Sequence, residues 1–198
     1  MILTIKNLSL LIDRHYSLRL MLVMLLATLG FFWLFNASSL PVSNPELIKI
    51  SGQNGLLDLL PFYSANEALV AINNYGVTGR ELYLRFIATD FLFIPIYSLG
   101  FAFLITVIVR SICSKTDFWV FMNMLPIGIG FFDCIENISI FKMLLTYPDT
   151  SLITASIASI ATLCKHILTI VTLLVLAYGG AVLLLYRVGF KGSKKCPI

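Results

Sequence analysis

Three polar side chains within one apolar run are the residues of this chain best suited to chemistry. Asp133, Glu136 and Asn137 lie between Phe118 and Leu145. The spacing i, i+3, i+4 places all three on one face of a helix, where they are directed at one neighbour. A charged carboxylate in the middle of a bilayer costs about 2.5–3.5 kcal/mol, so two of them require compensating partners. We therefore expect polar groups from other helices to meet this face.

A second apolar run carries one more acidic residue. Tyr83, Asp90 and Tyr97 lie seven residues apart and therefore share a helix face. The two tyrosines are candidates for the aromatic wall of a cation site, with packing at the membrane boundary as the alternative. Arg80 precedes this run and is a further candidate binding residue, with an interfacial anchor as the alternative.

The last apolar run supplies Lys165 and His166. At a rise of 1.5 Å per residue, four charged candidates lie about 14–20 Å from the outer ends of their helices, namely Asp90, Asp133, Glu136 and Lys165. Their common depth predicts that Lys165 neutralises one carboxylate and that the other acids bind a proton or a cation. The alternatives are that the acids only hold helices together, that Lys165 extends to the membrane surface, and that His166 is a packed histidine.

The elements that must position these residues are apolar helices. The chain has 198 residues, of which 59% are hydrophobic and 12% charged, whereas about a quarter of the residues are charged in soluble domains. Apolar runs of about 20 residues indicate transmembrane helices, and the spans are predicted at about 20–36, 79–110, 117–147 and 151–187. The predicted fold is an all-α membrane protein, a four-transmembrane-helix bundle.

Shorter elements are predicted between and around the spans. Residues 1–19 form an amphipathic N-terminal segment, with a signal peptide as the alternative. The outer loop, 37–78, contains a short interfacial helix that begins at the capping box Ser64-x-x-Glu67. Thr78-x-x-Glu81 predicts a second capping box at the start of the second span.

Proline and basic residues predict the shape and orientation of the bundle. Pro95 and Pro126 are expected to bend the second and third spans. With both termini cytoplasmic, nine basic residues lie inside and four lie outside, which makes the 37–78 loop extracytoplasmic. The inner set is Lys6, Arg14, Arg19, Arg110, Lys115, Arg187, Lys191, Lys194 and Lys195, and the outer set is Lys49, Arg80, Arg85 and Lys142. Residues 188–198 are predicted to be a basic cytoplasmic tail.

Several classes of function lack the residues they need. The four cysteines are scattered singly and no histidine lies at metal-ligand spacing, so we expect no metal and no cofactor. The net charge of +4 forms no basic stripe, so we expect no nucleic-acid partner. The expected partners are membrane lipids and a lipophilic or cationic small molecule, while the oligomeric state cannot be read from the sequence.

The second and third spans carry a resemblance. Four spans, a hydrophilic first loop with a short helix, and Asp90 followed by Phe93, Pro95 and Tyr97 resemble the EXPERA group of four-helix membrane proteins. Members of that group use intramembrane acids to bind a cationic amine or a sterol intermediate, so the resemblance implies those roles for Asp90 and Glu136. The spacing of these residues is also similar to that of small bacterial membrane proteins of uncharacterised function.

Three functions are compatible with these patterns. The first is a ligand-binding or transport-type membrane protein whose buried acids bind a lipophilic or cationic small molecule or a proton. The second is an isomerase-like enzyme that uses the same carboxyls as acid and base on a lipid or isoprenoid. The third is a structural or assembly subunit in which the polar residues only specify helix pairing.

Overall fold

The computed structural model describes residues 2–52, 54–112 and 121–187, and these form seven α-helices and no strand. The helices are α1 (Ile2–His15), α2 (Leu18–Ala37), α3 (Asn44–Ser51), α4 (Ala65–Asn74), α5 (Gly76–Ile112), α6 (Leu125–Thr146) and α7 (Leu152–Arg187). Two 3-10 turns, Leu57–Leu59 and Phe121–Met124, precede α4 and α6. The prediction of an all-α protein is confirmed.

Four helical stretches are long and apolar enough to cross a membrane. They are α2, α5, the stretch Phe121–Thr146 and α7 up to Leu185. This agrees with the four predicted apolar helices, and the third stretch begins at Phe121 because the predicted start at 117 lies outside the described residues. The predicted basic tail, 188–198, also lies outside them.

The two longest helices extend beyond the thickness of a bilayer. With 37 and 36 residues, α5 and α7 are each roughly 55 Å long, against about 30 Å for the hydrocarbon core. Their first turns are covered by α3, α4 and the segment between them, which bury Leu47, Leu57 and Ile72 in one core with Tyr83. The 37–78 loop is therefore a packed cap on the bundle.

This cap contains two helices, whereas the sequence predicted one. The helix α4 begins as predicted, since Ser64 and Glu67 form the reciprocal capping box. The helix α3 was missed, although Ser43 caps its start by accepting a hydrogen bond from the Glu46 amide. Gly52 ends α3 in the left-handed conformation, at φ 69°, which is favourable for glycine alone.

The prediction of a second capping box at Thr78 is wrong. The helix α5 begins at Gly76, so that Tyr75 alone separates it from α4. Gly76 has a φ of 61°, which lets the chain change direction in one residue. The Tyr75 carbonyl already accepts from the Gly79 amide, so Thr78 lies inside the helix and is not its cap.

The two prolines differ in position. Pro126 is the second residue of α6, directly after a 3-10 turn, so the prediction that it bends the third span is wrong. A helix start accommodates proline because the first amide groups of a helix have no intrahelical acceptor, so the amide hydrogen that proline lacks is not needed there. Pro95 lies inside α5, and α5 continues through it to Ile112.

Candidate functional site

The ammonium of Lys165 lies among three carboxylates, and we name these four residues the carboxylate cluster. Its Nζ is 3.1 Å from Asp133 Oδ1 and 2.5 Å from Glu136 Oε2, and it also contacts Asp58 Oδ1. Lys165, Asp133 and Glu136 are 8%, 6% and 0% exposed. The Glu136 contact is an ion pair and not a well-directed hydrogen bond. The helices α6 and α7 thus meet through opposite charges.

Two hydroxyl groups also contact these carboxylates. Tyr97 of α5 donates to Asp133 Oδ2 at 2.7 Å. Thr162 lies one turn before Lys165, and its Oγ1 is 2.6 Å from Glu136 Oε1 and 2.9 Å from the Ala158 carbonyl oxygen. The predicted candidates Tyr97, Asp133, Glu136 and Lys165 are therefore brought together, whereas Thr162 was not among the candidates.

Asp58 belongs to the cluster although it lies in the cap. Its segment is held by hydrogen bonds from the Leu56 amide to Asn44 Oδ1, at 2.8 Å, and from Tyr75 Oη to the Gly55 carbonyl, at 2.7 Å. A Cβ at Gly55 would come within 2.7 Å of Asn44 Oδ1, so this approach requires glycine. The sequence analysis missed Asp58, and its position inside the run Leu56-Leu57-Asp58-Leu59-Leu60 was the available signal.

Asp90 forms a separate pair with Asn137. Asn137 Nδ2 donates to Asp90 Oδ2 at 2.6 Å, and Asn137 Oδ1 has no hydrogen-bond partner among the described residues. The polar face of α6 therefore meets two helices, because Asn137 contacts α5 while Asp133 and Glu136 contact α7. The expectation that this face is directed at one neighbour is wrong.

Three further candidates, Tyr83, Arg80 and His166, are not members of the carboxylate cluster. Tyr83 is fully buried and its Oη accepts from the Asp58 amide at 3.4 Å, so it positions the segment that carries Asp58. Arg80 lies away from the cluster, with its guanidinium 4.2 Å from the centre of the Tyr147 ring. His166 Nδ1 lies 2.9 Å from the Thr162 carbonyl oxygen.

Two tyrosines of the cap lie next to this region. Ser159 donates to the Tyr63 carbonyl, and the Tyr63 hydroxyl is 3.3 Å from Thr162 Oγ1. Burial raises the pKa of Tyr63 and of Tyr75 well above the usual range of a phenol. Both hydroxyls therefore keep their protons and remain available as hydrogen-bond donors.

A groove of about 530 Å³ reaches the cluster from the side of the bundle. Leu29 and Phe32 of α2 and Leu173 of α7 are more than half exposed, so the groove opens between these two helices. Its lining is apolar apart from Asp58, Asp133 and Lys165 at one end and a few neutral polar side chains along the wall. The complete lining is Thr28, Leu29, Phe32, Asp58, Phe93, Tyr97, Phe101, Ile129, Asp133, Lys165, His166, Thr169, Thr172 and Leu173.

A smaller pocket of about 140 Å³ adjoins the groove under the cap. It shares Phe32, Asp58, Phe93 and Asp133 with the groove, and it also reaches Asp90. The cluster therefore borders two cavities.

The three carboxylates have the spacing of a metal site. One oxygen from each of Asp58, Asp133 and Glu136 lies within 4.8 Å of the other two. The Lys165 ammonium contacts all three residues, so it takes the central position that a metal ion would need. The arrangement fits an internal ammonium better than a resident metal.

Comparison with known proteins returns no relative. No family model matches the chain, no curated protein matches it, and no solved structure matches it. The resemblance to the EXPERA group stays a prediction.

Proposed function

We propose that this protein binds a cationic amphiphile, such as a long-chain amine, that enters the groove from the bilayer. The ammonium of the ligand contacts Asp133 and Asp58, and its apolar chain lies along the groove between α2 and α7. The observation that supports this most directly is a groove of about 530 Å³ with apolar walls and charged residues at one end.

The charge of the cluster favours a cation. Asp58, Asp133 and Glu136 surround one ammonium, which leaves an excess of two negative charges when all three are ionised. In a medium of low dielectric constant such an excess is unfavourable unless protons or further cations compensate it. A ligand that carries a positive charge supplies this compensation, and an anionic ligand does not.

The hydrogen-bonding capacity of the cluster is also unfilled. Lys165 supplies three donors, and Tyr97 and Thr162 supply at most one each. The six carboxylate oxygens together offer about twelve acceptor positions. A primary ammonium in the groove would donate to the free positions on Asp133 and Asp58, both of which line it.

The volume and position of the groove favour an amphiphile over a hydrophilic cation. Ligand pockets for small molecules usually measure about 300–1,000 Å³ and have mostly apolar walls. The exposed Leu29, Phe32 and Leu173 would place its opening against lipid. An alkyl chain can therefore enter without first crossing water.

Two other functions receive less support. An acid and base pair needs a substrate between the two groups, within hydrogen-bond reach of each, whereas here the carboxylates lie close together around one lysine. A purely structural cluster accounts for the ion pairs but gives no role to the groove that reaches them.

The test is equilibrium binding of radiolabelled dodecylamine to the protein in nanodiscs of neutral lipid, with empty nanodiscs as background. We expect unlabelled dodecylamine to compete and dodecanoate not to compete. Asp133→Asn should weaken binding about 10- to 150-fold, because a charged hydrogen bond contributes about 1.5–3 kcal/mol. Asp13→Asn is the matched control, since Asp13 pairs with Arg110 and lines neither the groove nor the smaller pocket. Equal competition by dodecanoate, or unchanged binding in Asp133→Asn, would contradict the proposal.

A further inference from the structure

The neutral polar side chains of the groove share one property. Thr28, Thr169 and Thr172 each donate their hydroxyl proton to the carbonyl four residues earlier in their own helix, at 2.8 Å in every case. This back-bonding leaves the oxygen lone pairs of the hydroxyl as the groups that a ligand can meet. The wall of the groove therefore offers acceptors.

Like these threonines, His166 donates to its own helix and leaves an acceptor for a ligand. Its Nδ1 lies 2.9 Å from the Thr162 carbonyl oxygen, which can only accept, so Nδ1 carries the proton. In the neutral ring Nε2 is then an acceptor. His166 lines the groove, and because its Nδ1 is engaged by its own helix, Nε2 is the ring nitrogen that remains for a ligand.

This acceptor stands next to the proposed cation site. Lys165 and His166 are consecutive in α7 and both line the groove, and Lys165 Nζ is 3.1 Å from Asp133 Oδ1. A ligand whose ammonium contacts Asp133 would bring its next carbon atoms beside His166. The carboxylates that favour a cation are Asp133 and Asp58, whereas His166 offers a neutral acceptor, so the group that fits beside it is a neutral donor, and a hydroxyl is the smallest.

We infer that the ligand of the groove is a long-chain amino alcohol whose hydroxyl donates to Nε2 of His166. This rests on the proposed function, because the ammonium is again placed at Asp133 and Asp58. Thr169, one turn beyond Lys165, provides a second acceptor on the same wall.

The test compares 2-amino-1-dodecanol with dodecylamine as competitors of radiolabelled dodecylamine in nanodiscs. One hydrogen bond contributes about 0.5–1.5 kcal/mol, so we expect the amino alcohol to bind about two- to tenfold more tightly. Its O-methyl ether, which has the same ammonium but no hydroxyl donor, should bind no more tightly than dodecylamine.

The histidines provide matched variants. His166→Phe should bind both compounds equally, whereas His15→Phe should keep the preference, because His15 is an exposed residue of α1 that lines neither cavity. Thr169→Val should reduce the preference, and it serves as the second variant if His166→Phe does not fold.

The outcomes separate the two proposals. Tight binding of dodecylamine without a preference for the amino alcohol would overturn this inference and leave the proposed function intact. A preference that persists in His166→Phe would also overturn it, as would, if that variant does not fold, an undiminished preference in Thr169→Val. If neither compound binds, both proposals are wrong.

Discussion

Two of the buried polar regions of the bundle differ in charge. Near α1, Asn123 exchanges hydrogen bonds with Ser9, at 2.8 Å and 3.2 Å, and donates to Thr106 at 3.2 Å. These three residues are at most 3% exposed, are neutral, and line neither the groove nor the smaller pocket. The carboxylate cluster is less deeply buried, with Lys165 8% exposed, and it is charged and borders both cavities.

The difference shows how a buried polar group can be assigned to structure or to binding. In the Asn123 network each amide atom has a partner, so the network ties α1 and α5 to the turn before α6 at no cost in unpaired charge. The carboxylate cluster keeps two surplus acids and unfilled acceptor positions beside a groove. Incomplete compensation next to empty volume favours a ligand, and complete compensation favours packing.

The largest effect is expected from removal of the ammonium. Lys165→Met leaves Asp133 and Glu136 buried without a cation, and loss of one partner of a buried pair costs about 3–5 kcal/mol. Thermal unfolding in detergent, followed by circular dichroism, should show a markedly lower midpoint. Lys49→Met is the control, because Lys49 is exposed and its ion pair in the described part of the chain is the one with Glu46, at 3.5 Å. A midpoint for Lys165→Met equal to that of Lys49→Met would mean that the cluster contributes no stability.

A reciprocal exchange of charge tests the comparison directly. Asn123→Asp puts a carboxylate beside the neutral side chains of Ser9 and Thr106, and a buried group left unsatisfied costs about 1–3 kcal/mol, or more when it is charged. Asp133→Asn removes one surplus charge and keeps an oxygen for Tyr97 to bond, so its unfolding midpoint should stay close to that of the unmodified protein. If Asp133→Asn is less stable than Asn123→Asp, the carboxylate cluster serves structure and the Asn123 network does not.

A substitution at the interface of α5 and α6 tests whether helix packing holds the carboxylate cluster in place. A Cβ at Gly130 of α6 would overlap Ser98 Oγ of α5 and lie 3.1 Å from Ile94 Cγ2. Gly130→Ala should therefore lower the stability by about 1–3 kcal/mol. It should also weaken amine binding, because Tyr97, which donates to Asp133, lies between Ile94 and Ser98 in α5. Gly30→Ala should be neutral or slightly stabilising, because a Cβ at Gly30 meets nothing within 4 Å. Addition of Ser98→Ala should restore part of the loss; no restoration would show that the overlap is not the cause.

The smallest effect concerns an exposed charge in the cap. The Ser64 amide donates to Glu67 at 2.7 Å, and this hydrogen bond lowers the pKa of Glu67 below its ordinary value of 4.5. A lowered pKa gives stability that is present above the ordinary pKa and is lost as the pH falls through the folded value. Between about pH 5 and pH 3 the unmodified protein should therefore lose slightly more stability than Glu67→Gln. Parallel pH dependence of the two unfolding midpoints would show that this cap contributes nothing.

The sequence predicted the helices better than their contacts. Long apolar runs and the capping box at Ser64 follow from local chemistry, so the spans and α4 could be placed. The common depth of Asp133, Glu136 and Lys165 followed from counting residues along helices. Asp58 could not be placed in the same way, because its depth depends on how Asn44 and Tyr75 hold the cap against α5 and not on a helical rise. The sequence also could not show that the polar face of α6 contacts both α5 and α7. The rotation of a helix about its axis is set by packing and not by local chemistry.

The wide separation of Asp58 and Lys165 along the chain has a consequence for biosynthesis. They lie 107 positions apart, with Asp133 and Glu136 between them and the lysine on the last helix. A ribosome therefore delivers all three acids before the one basic group that joins them. Until α7 is synthesised these acids lack the ammonium that they share, so the polar interior of the bundle is completed only with that helix.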